Sequence, residues 1–234
     1  MVSQRSILIT GCSSGIGLDT ALTLKNLGYH VFATARKTQD LDMLRSHGLK
    51  AKRLDLNDAA SIDNAVKWVL SETNGTLFAL FNNGAYGQPG AIEDLPIEAL
   101  REQFETNFFG WHILTQKVIP IMRAQGYGRI IQNSSVLGFV AMPFRGAYNA
   151  SKFAIEGYTD TLRLELKNTN IQVSLIEPGP IDTKFRANAL AKIEQFIDVE
   201  NSPHKTDYLP QIERLQKEES STAFTLPSSA VTAK

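Results

Sequence analysis

A single cysteine, Cys12, rules out an internal disulfide in this 234-residue chain, and so little cysteine fits a reducing compartment. The four histidines, His30, His47, His112 and His204, lie far apart, and none sits in a metal-ligand spacing. No metal site is expected. Charge of either sign is not in excess: 24 basic and 24 acidic residues cancel, which removes any bulk electrostatic case for nucleic acid or an anionic membrane. No apolar run reaches the ~18 residues that would span a bilayer. The opening MVSQRSILITG meets glycine too soon for a secretory signal. These absences leave a soluble cytoplasmic protein as the expectation. Hydrophobic content of 43% and charged content of 21% are ordinary for a globular fold, and a chain of this length buries a sufficient core without staples.

What is present alternates. Short apolar runs at 6–10, 29–36, 49–56, 77–85, 128–135 and 171–179 read as buried strands. Between them, helical spacing predicts helices over 17–28, 38–48, 57–72, 97–124 and 147–168, two closing on glycine and one opening on Asn57 and Asp58 as caps. Pro120 is expected to kink the long helix or mark its last turns. Strands alternating with helices mean βαβ units, hence an α/β fold with a doubly wound parallel sheet and helices on both faces. Ligands in such sheets bind at the carboxyl ends of the strands where strand order reverses. After Asp182 the chain turns polar and supplies no convincing seventh strand. Residues 1–185 therefore read as the catalytic core of a single domain, and 186–234 as its substrate-side lid.

Three features carry chemistry. In TGCSSGIG, the glycines Gly11, Gly15 and Gly17 stand between a strand and a helix, where bare backbone lets a pyrophosphate approach the helix N-terminus. The spacing is GxxxGxG rather than GxGxxG. The second strand ends ATARK, with Arg36 and Lys37 where a carboxylate would hold a ribose hydroxyl; cations there favour a 2′-phosphate, and so NADP(H). In GAYNASKFAIEG, Tyr148 and Lys152 lie one helical turn apart. A phenol titrating at about 10 is a poor acid or base at neutral pH, and a neighbouring ammonium pulls it toward neutrality. Ser135, at the end of the fifth strand, can hydrogen-bond a substrate oxygen within reach of that phenol.

TGCSSGIG, NNGA, NFFG, the serine, YNASK and PGPIDT occur in this order, and with them residues 5–185 resemble the short-chain dehydrogenase/reductase family in its single-domain, Rossmann-type form. The nearest branch resembles the hydroxysteroid and retinol dehydrogenase-like enzymes and their bacterial relatives. The resemblance implies reversible hydride transfer between NADP(H) and a carbonyl or carbinol carbon, with Tyr148 as acid/base. It implies that Lys152 lowers the phenol's pKa and holds the nicotinamide ribose, while Ser135, rather than Ser134, polarises the carbonyl. Asn107 would interrupt its helix and hold a water linking Lys152 to solvent. Cofactor contacts carried over are Gly11, Ser13, Ser14, Gly15, Ile16, Gly17, Arg36, Lys37, Asp55, Leu56, Asn82, Asn83, Gly84, Pro178, Gly179, Ile181 and Thr183, with Asp55 at the adenine and Asn82 steadying its strand. A homodimer or homotetramer, built through the helices at 97–124 and 147–168, is implied as well.

The sequence departs from the family pattern in reading NNGA for NNAG, where tolerance is expected. It also stops at SSAVTAK, about where a last helix and seventh strand would follow, so either the chain is truncated or the sheet lacks an edge strand. Tyr86, Met142, Phe144 and Phe185, with Phe139, Val140 and Phe196, are the candidates for an apolar pocket beside Ser135 and Tyr148, suited to a steroid-, retinoid- or lipid-like substrate. A protein that senses NADP(H) without chemistry is the alternative, although such proteins lose the tyrosine or lysine kept here. A sugar-nucleotide epimerase would bring a larger substrate domain and a GxxGxxG loop, and neither is present.

Overall fold

The computed structural model describes residues 5–216 and 225–232. Strand β1 (Ser6–Ile9) is buried along its whole length, as a strand covered on both faces must be. With β2 (His30–Ala35), β3 (Lys50–Arg53), β4 (Ala79–Asn82), β5 (Gly128–Asn133) and β6 (Ile171–Ile176) it forms a six-stranded sheet in the order β3-β2-β1-β4-β5-β6. All pairings are parallel. The sheet is doubly wound, as the alternation requires.

The period of two along each strand divides the core. Leu8, Phe32, Leu80 and Ile130 face one layer, where they meet Ile62 and Val69 of α3 (Ala59–Glu72), Leu114 and Val118 of α5 (Gly110–Gln125), and Ile155 and Leu162 of α6 (Gly146–Leu166). Ile7, Ile9, Val31, Ala33 and Phe81 face the other, against Ala21 of α1 (Gly15–Asn26) and Leu41 and Leu44 of α2 (Thr38–Ser46). The order reverses at β1, which pairs with β2 on one side and β4 on the other. A crevice is expected above the carboxyl ends of that pair.

The elements differ from the sequence reading mainly at their ends. The strands expected over 49–56, 77–85, 128–135 and 171–179 stop at Arg53, Asn82, Asn133 and Ile176, because the residues beyond leave the ladder to build the crevice. The Asp58 carboxylate caps α3 by accepting from the amides of Ala60 at 2.9 Å and Ser61 at 3.1 Å. The long helix is broken into α4 (Ile97–Phe104), a π-helical turn over Glu105–Phe109, and α5. Pro120 sits inside α5, which runs on to Gln125 and ends at Gly126 in the left-handed region.

Beyond the sheet, β7 (Ile181–Asp182) pairs in parallel with β8 (Leu226–Pro227), apart from the six strands, and α9 (Ser229–Thr232) follows. Helices α7 (Phe185–Phe196) and α8 (Lys205–Gln216) close a third apolar cluster around Ala91, Ala189, Ile193, Ile197, Tyr208 and Leu215. They occupy the span read from the sequence as a lid, 186–234; residues 217–224, 233 and 234 of that span lie outside the described residues. No described helix is long and apolar enough to cross a membrane.

Candidate active site

The glycine loop and the NNGA stretch are built as one piece. The Thr10 hydroxyl accepts from the amides of Asn83 and Gly84, both at 2.9 Å. The Asn83 amide donates back to the carbonyls of Thr10 at 2.9 Å and Gly11 at 3.1 Å. At Gly11, with φ +70, a Cβ would stand 2.5 Å from Gly84 Cα; at Gly17 it would stand 2.3 Å from the Gly11 carbonyl oxygen. Only bare backbone fits there. Gly84 also lies close to the Gly11 amide and Leu56, each 3.2 Å from where its Cβ would be, so the side chain missing at 84 serves this packing. Ser14 precedes α1 without a side-chain cap, and Ser13 and Ile16 share the turn. Cys12 is buried beneath it, and burial pushes its thiol up to about 12.

Around this cradle, the fully buried Asn82 donates to Thr115 Oγ1 at 3.1 Å and Gln132 Oε1 at 2.9 Å, tying β4 to α5 and β5. Arg36 and Lys37 follow β2, both exposed, and neither has an ion pair among the described residues. The Asp55 carboxylate closes a local turn by accepting from the Asn57 amide at 3.1 Å, with Arg53 3.6 Å away.

The crevice floor carries the polar set. Lys152 is 1% exposed; its Nζ donates to the Asn133 carbonyl at 2.6 Å and stands 4.7 Å from the Trp111 ring centre and 5.6 Å from that of Tyr148. Ser135 Oγ accepts from the Leu137 amide at 3.1 Å and donates to the Pro178 carbonyl at 3.4 Å, and it opposes the rise in the Tyr148 phenol's pKa. The sequence reading has Lys152 drawing the phenol toward neutrality, whereas the protein alone does the reverse. Burial pushes Tyr148 up to about 12, with Ser135 opposing, and pushes Lys152 down to about 7, with Glu156 opposing. Desolvation outweighs the pairing.

Asn107 lies in the π turn, the helix interruption anticipated. Its Oδ1 accepts from the Tyr86 amide at 3.1 Å, while its Nδ2 donates to the Tyr86 carbonyl at 2.9 Å and to Ser151 Oγ at 3.3 Å. Thr183 packs on Gly15 and caps Phe185, whose amide donates to Thr183 Oγ1 at 3.2 Å. Ile181 lies in β7 and Gly179 faces open space.

Of the pocket candidates, Phe185 stacks edge-on against Tyr148 at 5.4 Å between ring centres, and Tyr86 is buried beneath Lys192. Phe144 packs against Tyr208 of α8, at 4.9 Å between ring centres, and Phe196 joins the same cluster. Met142, Phe139 and Val140 are roughly half exposed. Apolarity alone cannot tell lid packing from pocket lining. Glu156 is the residue the sequence reading passed over. It continues the four-residue spacing of Tyr148 and Lys152 and accepts a short hydrogen bond from Ser134.

Residues 5–194 match the family of the short chain dehydrogenases. The chain is a short-chain dehydrogenase. It is 46% identical over 187 residues to the uncharacterized oxidoreductase YbbO of Escherichia coli, covering 80% of this chain and 70% of that one. It is 36% identical over 213 residues to a 3-ketodihydrosphingosine reductase of Bacteroides thetaiotaomicron, covering 91% and 76%. A crystal structure of an actinorhodin polyketide ketoreductase variant with NADPH superposes with a TM-score of 0.78 at 28% identity, covering 98% of this dehydrogenase and 88% of that chain. This short-chain dehydrogenase is accordingly a hydride-transferring oxidoreductase.

Proposed function

We propose that the protein is an NADP(H)-dependent reductase or dehydrogenase of apolar carbonyls and alcohols, with Tyr148 as its acid/base. The observation that carries this reading is the buried set of Ser135, Tyr148 and Lys152, with the Lys152 Nζ 5.6 Å from the Tyr148 ring centre and joined through Asn133 to Asn83 of the glycine cradle. The cradle fits a dinucleotide: added Cβ atoms would fill it, and the first turn of α1 is uncapped by any side chain. The buried Tyr86 hydroxyl is without a partner, an orphan that a bound ligand would satisfy. Gly11, Gly15 and Gly17 would hold the pyrophosphate, and Arg36 and Lys37 a 2′-phosphate. Bound there, the nicotinamide supplies or accepts the hydride.

The rest of the chemistry falls to side chains. Ser135 orients the substrate oxygen toward the phenol. Tyr148 gives that oxygen its proton in reduction and takes it back in oxidation. The Lys152 ammonium, once drawn from the Asn133 carbonyl, stabilises the phenolate that results. Phe185 excludes water from above. A relative named for reducing 3-ketodihydrosphingosine supports a lipid-like ketone as substrate. Self-association through α5 and α6 completes the reading, supported by exposed Phe109, Phe153 and Leu164.

Nucleotide titration and turnover test it together. NADPH should bind about tenfold or more tightly than NADH, ~1.4 kcal/mol, and long-chain aldehydes or ketones should be reduced. Tyr148→Phe should keep NADPH binding and lose about 10²-fold or more in kcat. Full turnover by that variant would refute the role of the phenol.

A further inference from the structure

Tyr148 is 9% exposed and Ser135 8%, so a substrate oxygen comes within hydrogen-bond reach of the phenol only when something that covers it gives way. Two neighbours lie against the phenol ring. One is Phe185, the first residue of α7, whose ring stands edge-on at 5.4 Å between centres. The other is Gly87. A Cβ built there would lie 3.5 Å from Tyr148 Cδ2, and only 2.8 Å from Phe185 Cζ and 2.9 Å from Phe185 Cε1. The edge of the Phe185 ring thus fills the space that a side chain at 87 would need.

The two neighbours are held very differently. Ahead of Gly87, the Tyr86 amide donates to Asn107 Oδ1 at 3.1 Å, and the Tyr86 carbonyl accepts from Asn107 Nδ2 and Gln103 Nε2, both at 2.9 Å. Behind it, the Gln88 amide donates to Gln103 Oε1 at 2.7 Å. The Tyr86 ring lies under the Lys192 ammonium, and Gln88 Nε2 donates to the Lys192 carbonyl at 3.2 Å; Gly87, between them, faces the phenol. Gly87 is therefore a fixed wall of bare backbone, which cannot shift without breaking the bonds to Asn107 and Gln103. Phe185 is partly exposed and follows Lys184, which makes no side-chain cap for α7. Rotation of its side chain is enough to lift the ring.

We propose that Gly87 is the floor of the substrate slot: the carbon next to the substrate's carbonyl lies on its bare backbone, in the space the Phe185 ring edge fills, and the lifted ring closes over it. Gly87 thereby sets a size limit on the reaction, admitting a methylene beside the carbonyl and rejecting a fully branched carbon. The assignment rests on the oxidoreductase reading above and deepens it. The slot is one methyl deep, since a Cβ alone makes contacts below 3 Å, and a carbon of difference in an apolar pocket is worth about 10–200-fold in selectivity.

The test uses 2-octanone and 3,3-dimethyl-2-octanone, which differ only in the two methyl groups beside the carbonyl. Calorimetry on the full chain saturated with NADP⁺ reads binding without turnover. 2-Octanone should bind about tenfold or more tightly than its branched analogue. Gly87→Ala should weaken 2-octanone by a similar factor, and Phe185→Ala should bring the two ketones closer to equal. The double variant Gly87→Ala/Phe185→Ala separates the two roles that a glycine could have there. A methyl that meets the substrate keeps its cost relative to Phe185→Ala, whereas a methyl that only unseats the ring costs nothing once the ring is gone. Circular dichroism and NADPH binding report whether each variant folds. Equal binding of the ketones by the unaltered protein, binding of neither, an unchanged affinity in Gly87→Ala, or a double variant that matches Phe185→Ala would overturn the slot. Failure of the oxidoreductase reading would show separately, as size-selective ketone binding with no NADPH consumed on 2-octanone.

Discussion

Glu156 shows how one carboxylate can set the protonation of its neighbours. Burial raises its own pKa, against the hydrogen bond from Ser134 and the charge of Arg163, while Glu177 and Asp160 raise it further. Its negative charge supports the Lys152 ammonium against burial. The sign of the consequence follows. Lys152 is useful charged, so activity falls as pH rises through its pKa, and removing the Glu156 charge lowers that pKa. Glu156→Gln, which can still accept from Ser134, should move the alkaline limb of the kcat/KM profile to lower pH. A profile that stays in place would show that Glu156 only holds the 134–138 turn. The pair at 148 and 152 was legible from spacing, and 156 continues the same spacing. Its meaning was not legible, because it depends on Ser134, distant in sequence and brought close only by the packing of α6 on β5.

The π turn between α4 and α5 illustrates the same limit for an element. The NFFG motif marked an interruption, but the partner of Asn107 could not be read from it. That partner is the Tyr86 backbone, whose amide and carbonyl are both satisfied by one side chain in the buried crevice wall. Asn107→Leu would leave the Tyr86 amide unpaired, at about 1–3 kcal/mol, while the Tyr86 carbonyl would keep its hydrogen bond from Gln103 Nε2 at 2.9 Å. A fall in the urea midpoint corresponding to roughly 1–3 kcal/mol is expected, together with weaker NADPH binding as the 83–87 segment loosens. An unchanged midpoint would mean that the loop is held by the Gln103 contacts alone. The packing of α8 was harder still. The sequence marks Phe144 and Phe196 as apolar but does not show that Tyr208 of α8 reaches back to Ala91, its hydroxyl 2.8 Å from that amide.

For the whole molecule, the alternation of strands and helices was enough to give the six-stranded sheet, its parallel pairing and its two covered faces. The strand ends were too long in that reading, since apolar residues that leave the ladder to line the crevice keep the composition of the strand. Among the described residues, Phe153 and Leu164 of α6 and Phe109 of the π turn are exposed. Sedimentation at micromolar concentration should show a dimer or tetramer, and a monomer alone would end that expectation. The strand order also has a kinetic side. Between β3-β2-β1 and β4-β5-β6, the ladder is continuous through β1 and β4 alone, whose register sets Ile7 beside Ala79. Closing so long a loop costs chain entropy before any contact repays it. Each half can gather its own strands first, leaving the seam between them to close late. The crevice opens above that seam, so nucleotide should find its site only in chains that have finished folding.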